Sequence, residues 1–197
     1  MTLFSSSDLV PVKPVKKPDP VGFHTRIVKG VPRLFIGRAN QKLKDVIGDI
    51  QQNQTKWYFS NGDWSAHDLL FYLLNITGPA KVYFTTWAIS EYAIRQLYNM
   101  IQQGHITELH GIFDYRNGIR KPAELQFLQQ ITTDIKAAKC HAKITSIVNQ
   151  QWGIAVIGSA NFTRNPRLEA GTIFTHREVA EDARDLILRV LNDQNNW

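Results

Sequence analysis

The 197-residue chain has a single cysteine, Cys140. One thiol excludes an internal disulfide framework and a cysteine-rich zinc site, and it fits a reducing, cytoplasmic setting. Long hydrophobic runs are missing too. The longest, over 69–74, is far short of the roughly 20 residues a spanning helix needs. The N-terminal residues lack a basic stretch followed by an apolar one, and Asp8 and Pro11 interrupt them. No signal peptide is read and no membrane partner is expected. Acidic residues are scarce in one region only. Residues 1–40 carry seven Lys or Arg against Asp8 and Asp19, which accounts for +5 of the net charge of +6. Such a basic head either attracts phosphate backbones by releasing counterions or serves as a solvated tail. With 43% hydrophobic and 20% charged residues, wholesale disorder and coiled coil are excluded.

Three stretches follow from the patterning. Residues 1–22 hold Pro11, Pro14, Pro18 and Pro20 among lysines and should be an extended or disordered head. Residues 23–64 read as a small extension: a hairpin of 23–28 and 31–36 about Lys29-Gly30, a helix over 41–52, then loop over 53–65. From 65 to 197 the pattern is regular. Helices are expected over 66–76, 91–103, 122–131 and 178–191, with Ser90 as a cap and Pro122 in a first turn. Strands are expected over 81–88, 107–113, 135–148, 152–158 and 171–175, with a loop carrying Arg116, Arg120 and Lys121. That order implies an α/β fold, a mixed β-sheet flanked by helices on both faces.

The residues that can carry chemistry lie in Cys140-His141-Ala142-Lys143, then Gly158-Ser159-Ala160-Asn161, then Arg167-Leu168-Glu169. Side chains alternate along a strand, so His141 and Lys143 share a face, as do Ser159 and Asn161. A hairpin turning over 149–153 would bring both pairs to one patch. That patch holds an imidazole, an ammonium, a hydroxyl and a carboxamide. Such a set suits a phosphate diester: lysine and asparagine hold the non-bridging oxygens while histidine attacks phosphorus. Each piece alone is weak, since Gly, Ser and Asn also favour turns and a strand histidine is often structural. Their order and spacing make the case.

These residues resemble the active-site motif of the phospholipase D superfamily, His-x-Lys followed at a distance by Gly-Ser-x-Asn. The similarity runs on through Ser159–Glu169, and the order of elements over 65–191 resembles one domain of that superfamily. The resemblance implies a phospholipase D-like domain with His141 as the nucleophile that forms a phosphohistidine. It implies that Lys143 and Asn161 bind phosphate oxygens with Ser159 assisting, and that Glu169 accepts a hydrogen bond from His141. It implies no metal and no cofactor. Two departures stand out: Val148 occupies the motif's aspartate position, with Asn149 beside it, and the stretch from His141 to Gly158 is about three residues longer than usual. The superfamily uses two histidines, one attacking and one protonating the leaving oxygen. His24, His67, His105, His110 and His176 supply no second His-x-Lys, so one motif per chain implies a homodimer with a shared site.

Three function classes follow. The first is a phosphodiesterase cutting nucleic acid, with DNA as the expected partner, helped by Arg116, Arg120, Lys121, Arg164 and Arg167. The second is a non-catalytic nucleic-acid-binding protein of the same fold, and the third a phospholipase. Trp57, Tyr58, Trp64, Trp87 and Trp152 are candidates for base stacking or for packing; Trp152, in the expected hairpin, is the one placed nearest the site. Cys140 is read as a core residue.

Overall fold

The computed structural model describes residues 33–36, 43–60, 62–164 and 167–193. The proline-rich head and the first hairpin strand lie outside these residues. Eight strands form one mixed sheet. They are β1 (Arg33–Ile36), β2 (Thr55–Ser60), β3 (Ala80–Thr86), β4 (Ile106–Asp114), β5 (Asp134–Ala138), β6 (Ile144–Val148), β7 (Gly153–Gly158) and β8 (Glu169–Phe174). Their order is β1-β2-β8-β7-β6-β3-β4-β5. The pairs β1/β2, β3/β4 and β4/β5 are parallel and the rest antiparallel. The helices are α1 (Leu43–Ile47), α2 (Ala66–Thr77), α3 (Glu91–Gln102), α4 (Tyr115–Arg120), α5 (Pro122–Ile131) and α6 (Arg177–Asn192).

Alternation along the strands explains the two layers. Val82 and Phe84 of β3 and Ile154 of β7 pack with α1, α2, α3 and α5. Their neighbours Tyr83 and Ala155 face α6 instead. The α2 leucines Leu69, Leu70, Leu73 and Leu74 are all buried, at about 2 kcal/mol of apolar burial apiece. Ser90 caps α3 by accepting from the Ala93 amide at 3.3 Å, and Pro122 opens α5, both as the sequence indicates.

Several elements differ from expectation. The loop expected over 53–65 holds β2, whose residues pair antiparallel with β8 across more than 100 positions of sequence. Ile36's strand pairs parallel with β2. The helix expected over 41–52 is short, Leu43–Ile47. The loop expected to carry Arg116 and Arg120 is α4. The single strand expected over 135–148 is two, β5 and β6, because they take different places in the sheet. β5 is an edge strand and β6 is central, with β3 and β4 between them. The chain therefore has to cross the ends of β4 and β3 to join them. Three inter-strand steps are about 14 Å, within the roughly 20 Å that the six steps from Ala138 to Ile144 can span. This crossing carries His141 and Lys143.

Candidate active site

His141 and Lys143 thus sit on the crossing segment rather than on a strand, and the pair still stands side by side. Lys143 Nζ is 3.3 Å from His141 Nδ1 and donates to the His141 carbonyl at 2.6 Å. An ammonium can only donate, so Nδ1 accepts and the imidazole proton sits on Nε2. The Lys143 carbonyl accepts from the Gly158 amide at 3.1 Å, which ties the segment to the end of β7. Burial lowers the Lys143 pKa, opposed by the nearby Glu169 carboxylate. A lysine that must be charged to hold phosphate then loses its charge at lower pH than an exposed one. The alkaline limb of the rate profile should accordingly fall before the ordinary lysine range, and Lys143→Arg should remove that limb at a reduced rate. A limb unmoved by the arginine would assign it to another group.

Ser159 follows β7 and Glu169 opens β8. The strand register Gly158↔Gly171 brings them together: Ser159 Oγ donates to Glu169 Oε2, and the Ala170 amide donates to Ser159 Oγ at 3.0 Å. The hydrogen bond from His141 to Glu169 that the resemblance implies is not formed among the described residues. Lys143 occupies Nδ1 and Ser159 occupies the carboxylate. Gly158 is required by this close approach. A Cβ there would lie 2.8 Å from the Ala170 carbonyl oxygen and 3.2 Å from Gly171 Cα. Gly158→Ala should cost about 1–3 kcal/mol in a denaturation experiment, because backbone rather than a side-chain tip has to move. An unchanged melting midpoint would contradict this packing.

Asn161 completes the ring. Its Oδ1 accepts from the Ala88 amide at 3.2 Å and from Thr86 Oγ1 at 3.3 Å, just past β3. The carboxamide is thereby oriented, with its nitrogen left as a donor. Between those two partners stands Trp87, whose ring lies 6.0 Å from that of His141. Trp87, not Trp152, is the tryptophan of the site. Trp152 belongs to the turn at the opposite end of β6 and β7, where it bonds Asn149 and packs on the core. Val148 is also at that far end, five residues of strand from Lys143, or roughly 16 Å. Asn149 beside it makes four hydrogen bonds of its own, to the Thr77 and Pro79 carbonyls and from the Gln151 and Trp152 amides.

The basic residues divide. Arg116 bonds Asp114, whose carboxylate also accepts from the Cys140 amide, so Arg116 is two contacts from the nucleophile segment. Arg164 lies over the Tyr92 ring at 5.1 Å. Arg167 and Arg120 are exposed, and Lys121 pairs with Glu124 at 3.6 Å. Asp114 is the site residue that sequence reasoning missed, and Trp87 is there only one of five stacking candidates; both stand at strand ends beneath the crossing segment, a position visible only once strand order is known. Cys140, expected in the core, is half-buried and packs against the α6 layer. Among the described residues no three His, Cys, Asp or Glu side chains gather as a metal cluster. Among them also, no helix is long and apolar enough to cross a membrane.

No family model and no curated protein sequence matches the chain. Solved structures do. Nuc, a phospholipase D family member from Salmonella typhimurium, superposes with TM-score 0.57 at 14% identity over 73% of this chain and 97% of its own. Polyphosphate kinase from Porphyromonas gingivalis gives 0.54 at 16% identity, covering 71% of this chain and 26% of the kinase. Phosphatidylserine synthase from Haemophilus influenzae Rd KW20 gives 0.52 at 15% identity over 73% and 38%. The chain thus spans nearly all of the first and a minor part of the other two. With His-x-Lys on the crossing segment before β6 and Gly-Ser-x-Asn at the end of β7, the chain shares the fold of Nuc, a phospholipase D family member.

Proposed function

We propose that this chain is a metal-independent phosphodiesterase that cuts nucleic acid, DNA in the first instance, at a site shared by two copies. The observation that carries the reading is the gathering of His141, Lys143, Ser159, Asn161 and Glu169 at one end of a phospholipase D-type sheet. A bound phosphate draws Lys143 and the Asn161 amide to its non-bridging oxygens. Lys143 then leaves Nδ1, the imidazole proton can move there, and Nε2 attacks phosphorus. The P–O bond to the leaving oxygen breaks as the P–N bond forms, and the second histidine, the partner subunit's His141, delivers the proton. Water activated by that same histidine then releases the phosphate. The non-catalytic alternative rests on Val148, which stands at the end of β6 remote from His141. Arg116, Arg120, Lys121, Arg164, Arg167 and the basic head supply charge for a phosphate backbone rather than a single lipid headgroup. The single thiol suits a cytoplasmic setting.

Histidine attack needs no metal-activated water. Plasmid and single-stranded DNA should therefore be cut by the full chain in EDTA. Activity abolished by EDTA and restored by magnesium would overturn the mechanism.

A further inference from the structure

The last residue of β4, Asp114, has a side chain only 1% exposed. Its Oδ1 accepts from the Arg116 amide at 3.1 Å and from Arg116 Nε at 2.7 Å. Its Oδ2 accepts from Arg116 Nη2 at 3.1 Å and from the Cys140 amide at 3.3 Å. Four donors compensate the burial of this charge, and the Arg116 fork holds its pKa below the usual carboxylate range. One of the four belongs to the crossing segment, one peptide before His141. That segment joins β5 to β6 across the ends of β4 and β3. The Asp114 carboxylate therefore fixes the backbone from which the imidazole projects.

Arg116 is the outward partner. Its side chain is half exposed and lies over the Tyr115 ring at 5.9 Å. Nε and one Nη2 hydrogen are used on Asp114. A guanidinium has five N–H groups, so three still point away from the carboxylate. Those donors lie on the β4 side of the His141 segment, whereas Lys143 and the Ser159–Glu169 pair lie on its β7–β8 side. A chain with repeating phosphates can engage both sides at once; a lone diester cannot.

We infer that Asp114 is a positioning residue for the His141 nucleophile and that Arg116, held by it, binds a second phosphate flanking the one that is cut. The inference deepens the nucleic-acid reading and rests on it. The substrate it selects is a polynucleotide strand rather than an isolated diester.

Two arms test this. In the His141→Ala chain, which separates binding from cleavage, an eight-nucleotide oligothymidylate is titrated over a range of salt. Arg116→Gln in that background should weaken binding at least fivefold and flatten the salt slope by about 1. Binding and slope both unchanged would overturn the flanking site, whether or not the wild-type chain cleaves. In the active chain, turnover is compared on the oligonucleotide and on bis(p-nitrophenyl) phosphate. Asp114→Asn should lower kcat about tenfold on both with KM within twofold, and Arg116→Gln should raise KM at least fivefold on the oligonucleotide alone. A wild-type kcat in Asp114→Asn would overturn the positioning role. If that variant fails to melt cooperatively, Asp114→Glu is measured instead: lowered kcat supports the role and unchanged kcat overturns it. If the wild type cleaves neither substrate, the nuclease reading fails separately, and the Cys140 amide resonance decides. It should move when the octamer binds the His141→Ala chain and stay still once Asp114→Asn is added; movement in both would overturn the coupling.

Discussion

His141→Ala should lower phosphodiester turnover by roughly 10⁴-fold or more, since loss of a covalent nucleophile removes the reaction path rather than one contact along it. The fold should not suffer. His141 is exposed, and its side-chain contacts are the Trp87 ring and Lys143 Nζ. A surface change of this kind is within about 0.5 kcal/mol of neutral. Acid-free quenching of the wild type during turnover of a labelled strand should leave label on protein, and His141→Ala should carry none. A variant that turns over at wild-type rate, or label that persists without the imidazole, would remove His141 from the mechanism.

Dilution of the wild type into excess His141→Ala gives the second large effect. If each dimer builds one composite site from both copies of His141, a fully exchanged mixture of one wild-type to nine variant chains contains roughly 1% fully wild-type dimers. Turnover should fall to about that level, against roughly 10% if each chain works alone. Light scattering on the same samples reads the oligomeric state. Activity in proportion to wild-type chains, or an active monomer, would contradict the shared site.

The two predictions rest on residues that sequence order already brings into one patch. Alternation pairs His141 with Lys143, and the 149–153 turn folds β7 back on β6. The reasoning fails where neighbours in space are distant in sequence. Thr55–Ser60 is flanked by the polar Gln51–Gln54 stretch and by Gly62, so it reads as loop, and its pairing with β1 and with the distant β8, whose first residue is Glu169, makes it a strand. Gly118 inside 115–120 hides α4, since glycine lowers helix propensity. The continuous apolar pattern over 135–148 conceals a break that follows from sheet order alone. The same blindness places Trp152 rather than Trp87 nearest the site and leaves Asp114 unremarked. Glu169 shows a different limit: its place beside the site is legible, but its partner, Ser159 rather than His141, depends on which side chain reaches it first.

The β6–β7 turn has a mechanical role that the chemistry does not share. Asn149 fastens it to the Thr77 and Pro79 carbonyls at the end of α2, on one face of the sheet. Arg177, the first residue of α6, donates from Nη2 to the Asn149 and Gln150 carbonyls at 3.1 and 2.9 Å on the other. Gly153 lets α6 seat closely, since a Cβ there would meet Arg177 Cα at 2.7 Å. One tight turn thereby fastens both helical layers to the same end of the sheet. Local opening of either layer has to break the same few bonds, so the two should behave as one cooperative unit in native-state hydrogen exchange rather than peel away independently. The end of the hairpin remote from His141 governs how the molecule comes apart, while the near end governs what it does.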